Sequence, residues 1–506
     1  MTNFMEALSK TQGVASRSIT ENGAVGHSTT GKALLDMNFK ISSYRNASYT
    51  ELLHDFELAF VENPELAIRW LFYARDIRGG AGERDLFRSV IEQLALEHPE
   101  LVKKVIHLIP VYGRYDDLLC LIRSKVKTEV LDMIEDQLLK DQLGIEKKQS
   151  ISLLAKWMPS NNASSASTKK DATIIRKHLG MSEKEYRKML SKYRAYLKVT
   201  ETFMSANEWG AIKYEEVASK ANVLYNKAFF KHDEDRRLEY IEAVKSGEKK
   251  INSSTNFPHD IVSRYPKYGR KLDETLEVLW KALPEFTDGL ESTLVVADGS
   301  GSMDQRIGKT TVTALDVANS LSIYFAERCK GAFANKYITF SGTPQLVNLG
   351  TGSLLSKIKI ANGYNEVANT NIEAVFMLIL KTAVRNNMSQ GELPATVLII
   401  SDMEFDQATR SYYNGGRYNR PDETLFESIA SRFAEAGYKM PKLAFWNLMG
   451  RSGTIPMVEN ENGVALISGF SPSAIKTVFT GQVDPYDALV ETLMSERYDA
   501  VSEALR

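Results

Sequence analysis

The chain has 506 residues, of which 43% are hydrophobic and 25% are charged, and its formal net charge at pH 7 is −1. This composition is typical of globular proteins and excludes a disordered or collagen-like chain. The near-zero charge excludes a globally basic nucleic-acid coat but leaves room for a local basic patch. At roughly 100–200 residues per domain, the length predicts two to four domains' worth of hydrophobic core.

Cysteine usage and hydropathy bear on the compartment. Cys120 and Cys329 are the only cysteines, which argues against a disulfide scaffold or a thiolate zinc site and favours a reducing compartment. The first residues lack the apolar core of a signal peptide, and no stretch approaches the roughly 20 apolar residues of a membrane span. We therefore expect a cytoplasmic monomer without a membrane segment.

The chain begins with an irregular arm and continues as helices. Residues 1–31 are rich in Ser, Thr, Gly and Asn, whereas over 32–290 apolar residues recur at spacings of three and four. Pro64 and Pro99 stand where helices would begin. Helix-sized units follow one another without strand signals, which predicts an α-solenoid of HEAT-like helix pairs, an architecture that can close into a ring.

The pattern changes at residue 291. In 291–506, apolar runs such as STLVVAD and PATVLIISD alternate with amphipathic segments such as TALDVANSLSIYFAERC. Strands that alternate with helices predict a parallel sheet with helices on both faces, and the continuous apolar runs suit strands buried on both sides. The predicted fold class is therefore an α-solenoid followed by a doubly wound, Rossmann-like α/β domain.

Oxygen-bearing side chains follow the predicted strands of the second domain. Asp298, Ser300 and Ser302 lie on one turn after the first strand, Asp402 follows another strand, and Thr370 precedes a helix. Ligands bind at such strand ends in open α/β sheets. Carboxylates and hydroxyls are hard donors that suit Mg²⁺, which prefers six oxygens. We therefore predict a site for Mg²⁺ or another divalent cation, the alternative being a Ser/Gly turn with an unrelated Asp.

These positions resemble the metal-ion-dependent adhesion site (MIDAS) of von Willebrand factor A domains. The resemblance implies that a partner's carboxylate fills the open position of the metal, so that the domain binds rather than catalyses. No nucleophile with a base lies nearby in sequence, and we expect no enzymatic activity. Two alternatives remain: a metal-dependent nuclease acting through Asp298 and Asp402, and a paired-carboxylate site formed by Asp402, Glu404 and Asp406, whose simpler interpretation is one metal ligand with solvated neighbours.

Gly-broken basic segments, RDIRGGAGERDLFR and IPVYGRYDDLL, interrupt the helical region. A ring of HEAT-like repeats followed by a von Willebrand A domain is similar to the Ro ribonucleoprotein (TROVE-domain) family. The chain looks closer to an uncharacterised relative family with RDIRGG-x-GER, a WxPS-like segment and ISDMxFD. The resemblance implies that the ring binds single-stranded or misfolded RNA ends, and small non-coding RNA on its outer basic surface.

Basic residues exceed acidic ones between residues 151 and 270, most densely from Lys169 to Lys198, where Tyr186, Tyr193 and Tyr196 are interleaved. Cations attract phosphates and aromatic faces stack on bases. Alternatively, the Arg residues near 75–114 pair with neighbouring acids and the lysines form a solvated face. His259 would then cap a helix start, and Trp157 would belong to the core or anchor a loop. The candidate RNA-binding residues are Arg75, Arg78, Arg84, Arg114, Lys169, Lys170, Arg187, Lys188, Arg194 and His259.

The predicted function is RNA binding by the helical part, with a Mg²⁺-binding α/β domain beside it. The alternative is a protein–protein scaffold without RNA, in which the helical part binds a partner and the metal captures that partner's carboxylate.

Overall fold

The structure, a computed structural model, describes residues 17–265, 271–286, 288–308, 310–340, 342–365, 370–406 and 424–506. The chain divides into two compact units. The first runs to Leu66 and resumes from Asn256 to Ser495, and the second contains Ala67–Thr255 and Glu496–Arg506. This division differs from the predicted boundary at residue 290, because residues 32–66 and 256–290 belong with the α/β unit and the C-terminal helix belongs with the helical unit.

A six-stranded sheet forms the centre of the first unit. Its strand order is β5-β4-β3-β6-β7-β8, and all neighbours are parallel except β4 and β5. Every residue of β3 and β6 is buried, as their continuous apolar runs predicted. A separate antiparallel pair, β1-β2, precedes it. The strands are β1 Arg17–Ile19, β2 Val25–His27, β3 Thr293–Asp298, β4 Lys336–Phe340, β5 Gln345–Asn348, β6 Thr396–Ser401, β7 Lys442–Asn447 and β8 Val464–Ser468.

Helices connect the strands of this unit. The longest described one, Ala314–Arg328, begins with a capping box between Thr313 and Asp316 and is buried along most of its length, because the crossover between parallel strands lies against the sheet. The α-helices of the first unit are α1 Ala33–Phe39, α2 Tyr49–Glu62, α15 Pro258–Val262, α16 Glu274–Lys281, α17 Ala314–Arg328, α18 Leu354–Asn362, α19 Ile372–Arg385, α20 Leu425–Glu435, α21 Ile475–Val478 and α22 Pro485–Leu493.

The second unit is helical, with a core in which the ring of Phe72 packs at a tilt against those of Phe87 and Tyr112. Its last helix closes the unit, because Arg69 donates a hydrogen bond to Ser502 and Lys104 donates one to the Leu505 carbonyl. The α-helices are α3 Pro64–Arg75, α4 Arg84–Glu97, α5 Pro99–Val105, α6 Ile109–Tyr112, α7 Lys127–Glu146, α8 Leu154–Trp157, α9 Ala166–His178, α10 Glu183–Tyr196, α11 Thr200–Ser205, α12 Ser219–Leu224, α13 Asn226–His232, α14 Glu234–Lys245 and α23 Asp499–Leu505.

The predicted combination of a largely helical region with an α/β region is confirmed. Among the helices that the structure describes, none combines the length and hydropathy needed to cross a membrane.

Candidate metal centre

The candidate cation ligands lie at the carboxyl ends of two adjacent strands. β3 ends at Asp298, and β6, its parallel neighbour, ends at Ser401 and leads directly to Asp402. After β3 the chain passes to β4 on one side and later returns to β6 on the other side. The gap between β3 and β6 is therefore a topological switch point, the position where open α/β sheets bind ligands.

Asp298 is buried, and both of its carboxylate oxygens are oriented by neighbours. Oδ1 accepts a hydrogen bond from the backbone N–H of Ser300 at 2.9 Å, and Oδ2 accepts one from the Ser401 hydroxyl at 2.6 Å. The hydroxyl oxygens of Ser300 and Ser302 lie 3.0 Å apart. The Asp-x-Ser-x-Ser turn therefore brings a carboxylate and two hydroxyls together, in the arrangement that its spacing predicted.

Asp402 completes this group. It is buried, and the Ser302 hydroxyl is hydrogen-bonded to it. Burial raises the pKa of Asp402, although the nearby Arg451 guanidinium opposes the shift. Burial and the adjacent Asp402 charge raise the pKa of Asp298 from 3.8 to about 7. Two carboxylates that share a buried site resist simultaneous ionisation, and a divalent cation between them would remove that repulsion.

Thr370, the remaining predicted ligand, is buried beside the loop that follows β6. Its carbonyl oxygen accepts a hydrogen bond from the Asp406 N–H at 3.0 Å. Its hydroxyl oxygen accepts one from the Asn22 side-chain amide at 3.3 Å. The chemistry of the whole donor set, two carboxylates and three hydroxyls, fits a hard cation such as Mg²⁺ better than a soft one.

Glu404 has a role that the sequence did not indicate. It is buried, so the expectation of a solvated neighbour of the metal ligand is wrong for this residue. Its Oε1 accepts hydrogen bonds from the backbone N–H groups of Arg451 and Ser452 at 2.7 and 2.8 Å, and its Oε2 accepts one from the Glu21 N–H at 2.9 Å. With three backbone donors, Glu404 organises the loops around the site.

The arginines of the Gly-broken segments mostly lie in ion pairs. Arg75 is buried, with its Nη2 2.7 Å from Asp117 Oδ2, a position that does not suit phosphate contact. Arg114 pairs with Asp116 and stacks over Trp157, with its guanidinium carbon 3.9 Å from the ring centre. Both arginines therefore follow the alternative interpretation, in which they pair with neighbouring acids instead of contacting phosphate. Trp157 itself ends α8 and is half-buried beneath the Arg114 guanidinium.

Arg78 and Arg84 differ from Arg75 because they are exposed. Arg84 Nε lies 3.3 Å from the exposed Asp85 carboxylate. A surface ion pair of this kind contributes little net free energy, so Arg84 could exchange Asp85 for another anion at little cost. These two residues therefore remain sterically open to phosphate.

The Lys169–Lys198 segment includes most of α9 and all of α10, and two of its three tyrosines face the interior, where they cannot stack on bases. The third, Tyr196, is half-buried, and its hydroxyl donates to the Gln149 carbonyl at 2.8 Å. Tyr186 and Tyr193 are buried, and their hydroxyls donate to the Pro159 and Leu138 carbonyls. Arg194 is half-buried and donates to the Ala155 and Met158 carbonyls at 2.8 and 2.7 Å. These three side chains hold neighbouring segments of the unit together, an arrangement that does not suit contact with RNA.

Most of the other basic residues of this segment are exposed, although Arg176 is half-buried and its Nη2 lies 3.8 Å from Glu183 Oε1. Lys169, Lys170, Arg187 and Lys188 project from α9 and α10, and within the described part of the chain none of the four pairs with a carboxylate. Unpaired cations on neighbouring helices provide the positive surface that phosphates require.

His259 lies in the first unit, on the short helix α15. Its ring contacts those of Phe257 and Phe470, with centroids 5.8 and 5.6 Å away. Asp260 caps the helix start by accepting a hydrogen bond from the Phe257 N–H at 2.6 Å. The expected capping role therefore belongs to Asp260, and His259 packs between aromatic rings.

Comparison with known proteins finds two families of unknown function. The family described as domain of unknown function DUF2828 matches residues 20–122 and 161–287, and the one described as DUF7788 matches residues 292–503. The uncharacterized protein L728 of Acanthamoeba polyphaga mimivirus is 27% identical over 520 residues, which cover 95% of this chain and 88% of that protein.

Among solved structures, the chain is similar to the Ro (RSR) protein of Deinococcus radiodurans. The similarity covers 87% of this chain and 92% of that one, with 12% sequence identity and a TM-score of 0.32.

Proposed function

We propose that the first unit binds a hard divalent cation, with Mg²⁺ as the reference ion, and presents it to a carboxylate of a partner protein. The single observation that supports this function is the burial of Asp298 and Asp402 side by side, at the ends of β3 and β6, with the Ser300 and Ser302 hydroxyls between them. Without a cation this arrangement is electrostatically unfavourable. Thr370 supplies a further hydroxyl.

The donor set favours binding over catalysis. Carboxylates and serine or threonine hydroxyls can ligate Mg²⁺, whereas a hydrolytic centre also needs an activated nucleophile or a second metal. Because Mg²⁺ usually keeps several waters, one coordination position is open to exchange with an outside carboxylate. This chemistry matches the adhesion sites that the sequence resembles, and it implies a non-enzymatic role.

Isothermal calorimetry with Mg²⁺ tests the cation site in the full-length chain. The wild type should bind one Mg²⁺, and Asp298→Ala should abolish binding while circular dichroism shows unchanged helix content. Glu435→Gln is the matched control, because this carboxylate is exposed at the end of α20 in the same unit. Unchanged affinity in Asp298→Ala, or equal losses in both variants, would reject the assignment.

A second function, RNA binding by the helical unit, is favoured by four exposed basic residues of α9 and α10 that pair with no carboxylate in the described part of the chain. Filter binding of a single-stranded RNA at two salt concentrations tests it, because each phosphate contact adds about 0.7 to the slope of log affinity against log salt. Replacing all four with Ala should lower that slope by up to about 3. The residues are Lys169, Lys170, Arg187 and Lys188.

A matched control replaces four other exposed lysines of the same unit, which lie on different helices or loops and should leave the slope unchanged. RNA affinity that is absent, or that both quadruple variants lower equally, would favour the scaffold function without RNA. The control residues are Lys140, Lys147, Lys227 and Lys231.

A further inference from the structure

The N-terminal β-hairpin, residues 17–27, packs on two loops that border the candidate cation centre. At its tip, the Thr20 hydroxyl donates to the Phe405 carbonyl at 2.7 Å, and the Asn22 amide donates to the Glu404 carbonyl at 2.6 Å. At its base, His27 and Ile455 exchange two backbone hydrogen bonds of 2.8 Å. The hairpin is therefore fixed both to the loop after β6 and to the loop after β7.

The tip also contacts the candidate ligands themselves. The Asn22 amide lies 3.3 Å from the Thr370 hydroxyl oxygen. Glu21 Oε2 accepts a hydrogen bond from Nε of Arg451 at 2.9 Å and lies 2.8 Å from Nη2 of the same guanidinium, whose Nη1 donates to Asp402 Oδ2 at 3.0 Å. A single guanidinium thus bridges a hairpin carboxylate and a cation-ligand carboxylate.

The carboxylate of Glu21 occupies a position on Arg451 that the carboxylate of a partner protein could also occupy. Its side chain is 52% exposed, whereas that of Arg451 is 23% exposed and that of Asp402 is fully buried. The planar guanidinium fork suits a carboxylate, and an incoming acidic side chain would be attracted by both the cation and Arg451. The carboxylate of Glu21 already takes up the two Arg451 donors that face away from Asp402.

We propose that the hairpin is an autoinhibitory cover of the cation centre, latched by the Glu21–Arg451–Asp402 bridge. An acidic partner binds by replacing Glu21 on Arg451. This role of the hairpin rests on the cation site proposed above. Arg451 competes with the cation for Asp402, since two cations beside one carboxylate repel each other. Exchange of Glu21 for a partner carboxylate therefore couples partner binding to the opening of the hairpin.

Two measurements on the full-length chain test this latch. The first uses fluorescence anisotropy to measure the affinity for a labelled peptide with one central Asp, in saturating Mg²⁺. The same peptide with Asn in place of the Asp is the probe control. Glu21→Gln should bind the Asp peptide about tenfold more tightly than the wild type, because the internal competitor loses its charge. Arg451→Gln should not show this gain.

The second measurement is Mg²⁺ calorimetry on the same proteins. Arg451→Gln should bind Mg²⁺ about tenfold more tightly, because a competing cation is removed from Asp402. Arg17→Gln is the matched control for hairpin loosening: its guanidinium lies 3.1 Å from Glu427 Oε2, an ion pair of the same hairpin that involves none of the proposed ligands. This control should resemble the wild type in both measurements.

The outcomes separate the latch from the cation site on which it depends. If neither the wild type nor Arg451→Gln binds Mg²⁺, the proposed cation site itself fails. If Mg²⁺ binds but Glu21→Gln and the wild type bind the Asp peptide equally, the latch is refuted while the cation site stands. An equal gain in Arg17→Gln would also refute the latch, because general loosening of the hairpin would then explain the effect.

Discussion

Replacing Asp298 with Asn should stabilise the metal-free protein and at the same time abolish its response to Mg²⁺. Asp298 is buried next to Asp402, and each ionised carboxylate raises the free energy of the other. Asn has nearly the same shape as Asp but carries no charge. The substitution therefore removes the cost of burying the Asp298 charge and its repulsion with Asp402, together with the ligand on which cation binding depends.

The magnitude follows from the shift in proton affinity. The folded-state pKa of Asp298 is raised from 3.8 to about 7, and about three units at roughly 1.4 kcal/mol each correspond to about 4 kcal/mol. Asn loses part of this gain, because its amide group cannot accept both hydrogen bonds made to the carboxylate, a loss of about 1–2 kcal/mol. We expect a net gain of about 2–3 kcal/mol, or roughly 4–6 °C in Tm.

The sign of the pH dependence is fixed by the same shift. A carboxyl with a raised folded-state pKa holds its proton more tightly in the folded state. Its full contribution to the stability of the fold is therefore present below its unfolded-state pKa, which is near 4. That stability is lost as the pH rises through about 7. The advantage of Asp298→Asn over the wild type should therefore be small at pH 4 and complete at pH 8.

Thermal unfolding followed by circular dichroism, in EDTA and in saturating Mg²⁺ at both pH values, is the appropriate assay. At pH 8 in EDTA the Asn variant should unfold at the higher temperature, and in Mg²⁺ only the wild type should gain stability by linkage to binding. A variant that is less stable in EDTA, or that responds to Mg²⁺ as the wild type does, would refute the electrostatic reasoning.

Three further predictions concern single side chains. Thr370→Val should weaken Mg²⁺ binding about tenfold in calorimetry, because it removes one oxygen donor at nearly constant volume. Tm in EDTA should fall only slightly, because the Asn22 amide loses its contact with the Thr370 hydroxyl but keeps its bond to the Glu404 carbonyl. An unchanged affinity would remove Thr370 from the ligand set. Arg75→Ala should destabilise the helical unit by about 3–5 kcal/mol in urea unfolding, because it leaves Asp117 buried and without one of its charge partners. Replacing the exposed Arg84 with Ala should change the free energy of unfolding by less than about 0.5 kcal/mol. Similar effects of the two substitutions would contradict the burial argument. Tyr186→Phe should lower the free energy of unfolding by about 1 kcal/mol, because the Pro159 carbonyl loses a hydrogen bond. RNA affinity in filter binding should be unchanged. Weaker RNA binding by this variant would indicate that the Tyr186 side chain contacts RNA.

Local sequence patterns predicted the buried strands on which the candidate site stands, but not the β1–β2 hairpin, which lies in residues 1–31, where we expected an irregular arm. The continuous apolar runs before Asp298 and Asp402 predicted buried parallel strands, and residues at the ends of such strands meet at one edge of the sheet. The two serines lie on the same turn as Asp298, so their spacing alone brings them to the same place. These features depend on neighbours within a few residues, which a single sequence displays.

Tertiary structure alone decided which polar groups are buried and what pairs with them. Glu404 meets the Glu21 N–H across 383 positions of sequence, and Arg451 bridges Glu21 and Asp402 across intervals of 430 and 49. Tyr186 and Arg75 likewise turn inward, because a carbonyl or a carboxylate from another segment satisfies them. A charged or hydroxylated side chain avoids burial unless such a partner is present. Whether it faces solvent or the interior therefore depends on distant segments, which no local pattern of residues encodes.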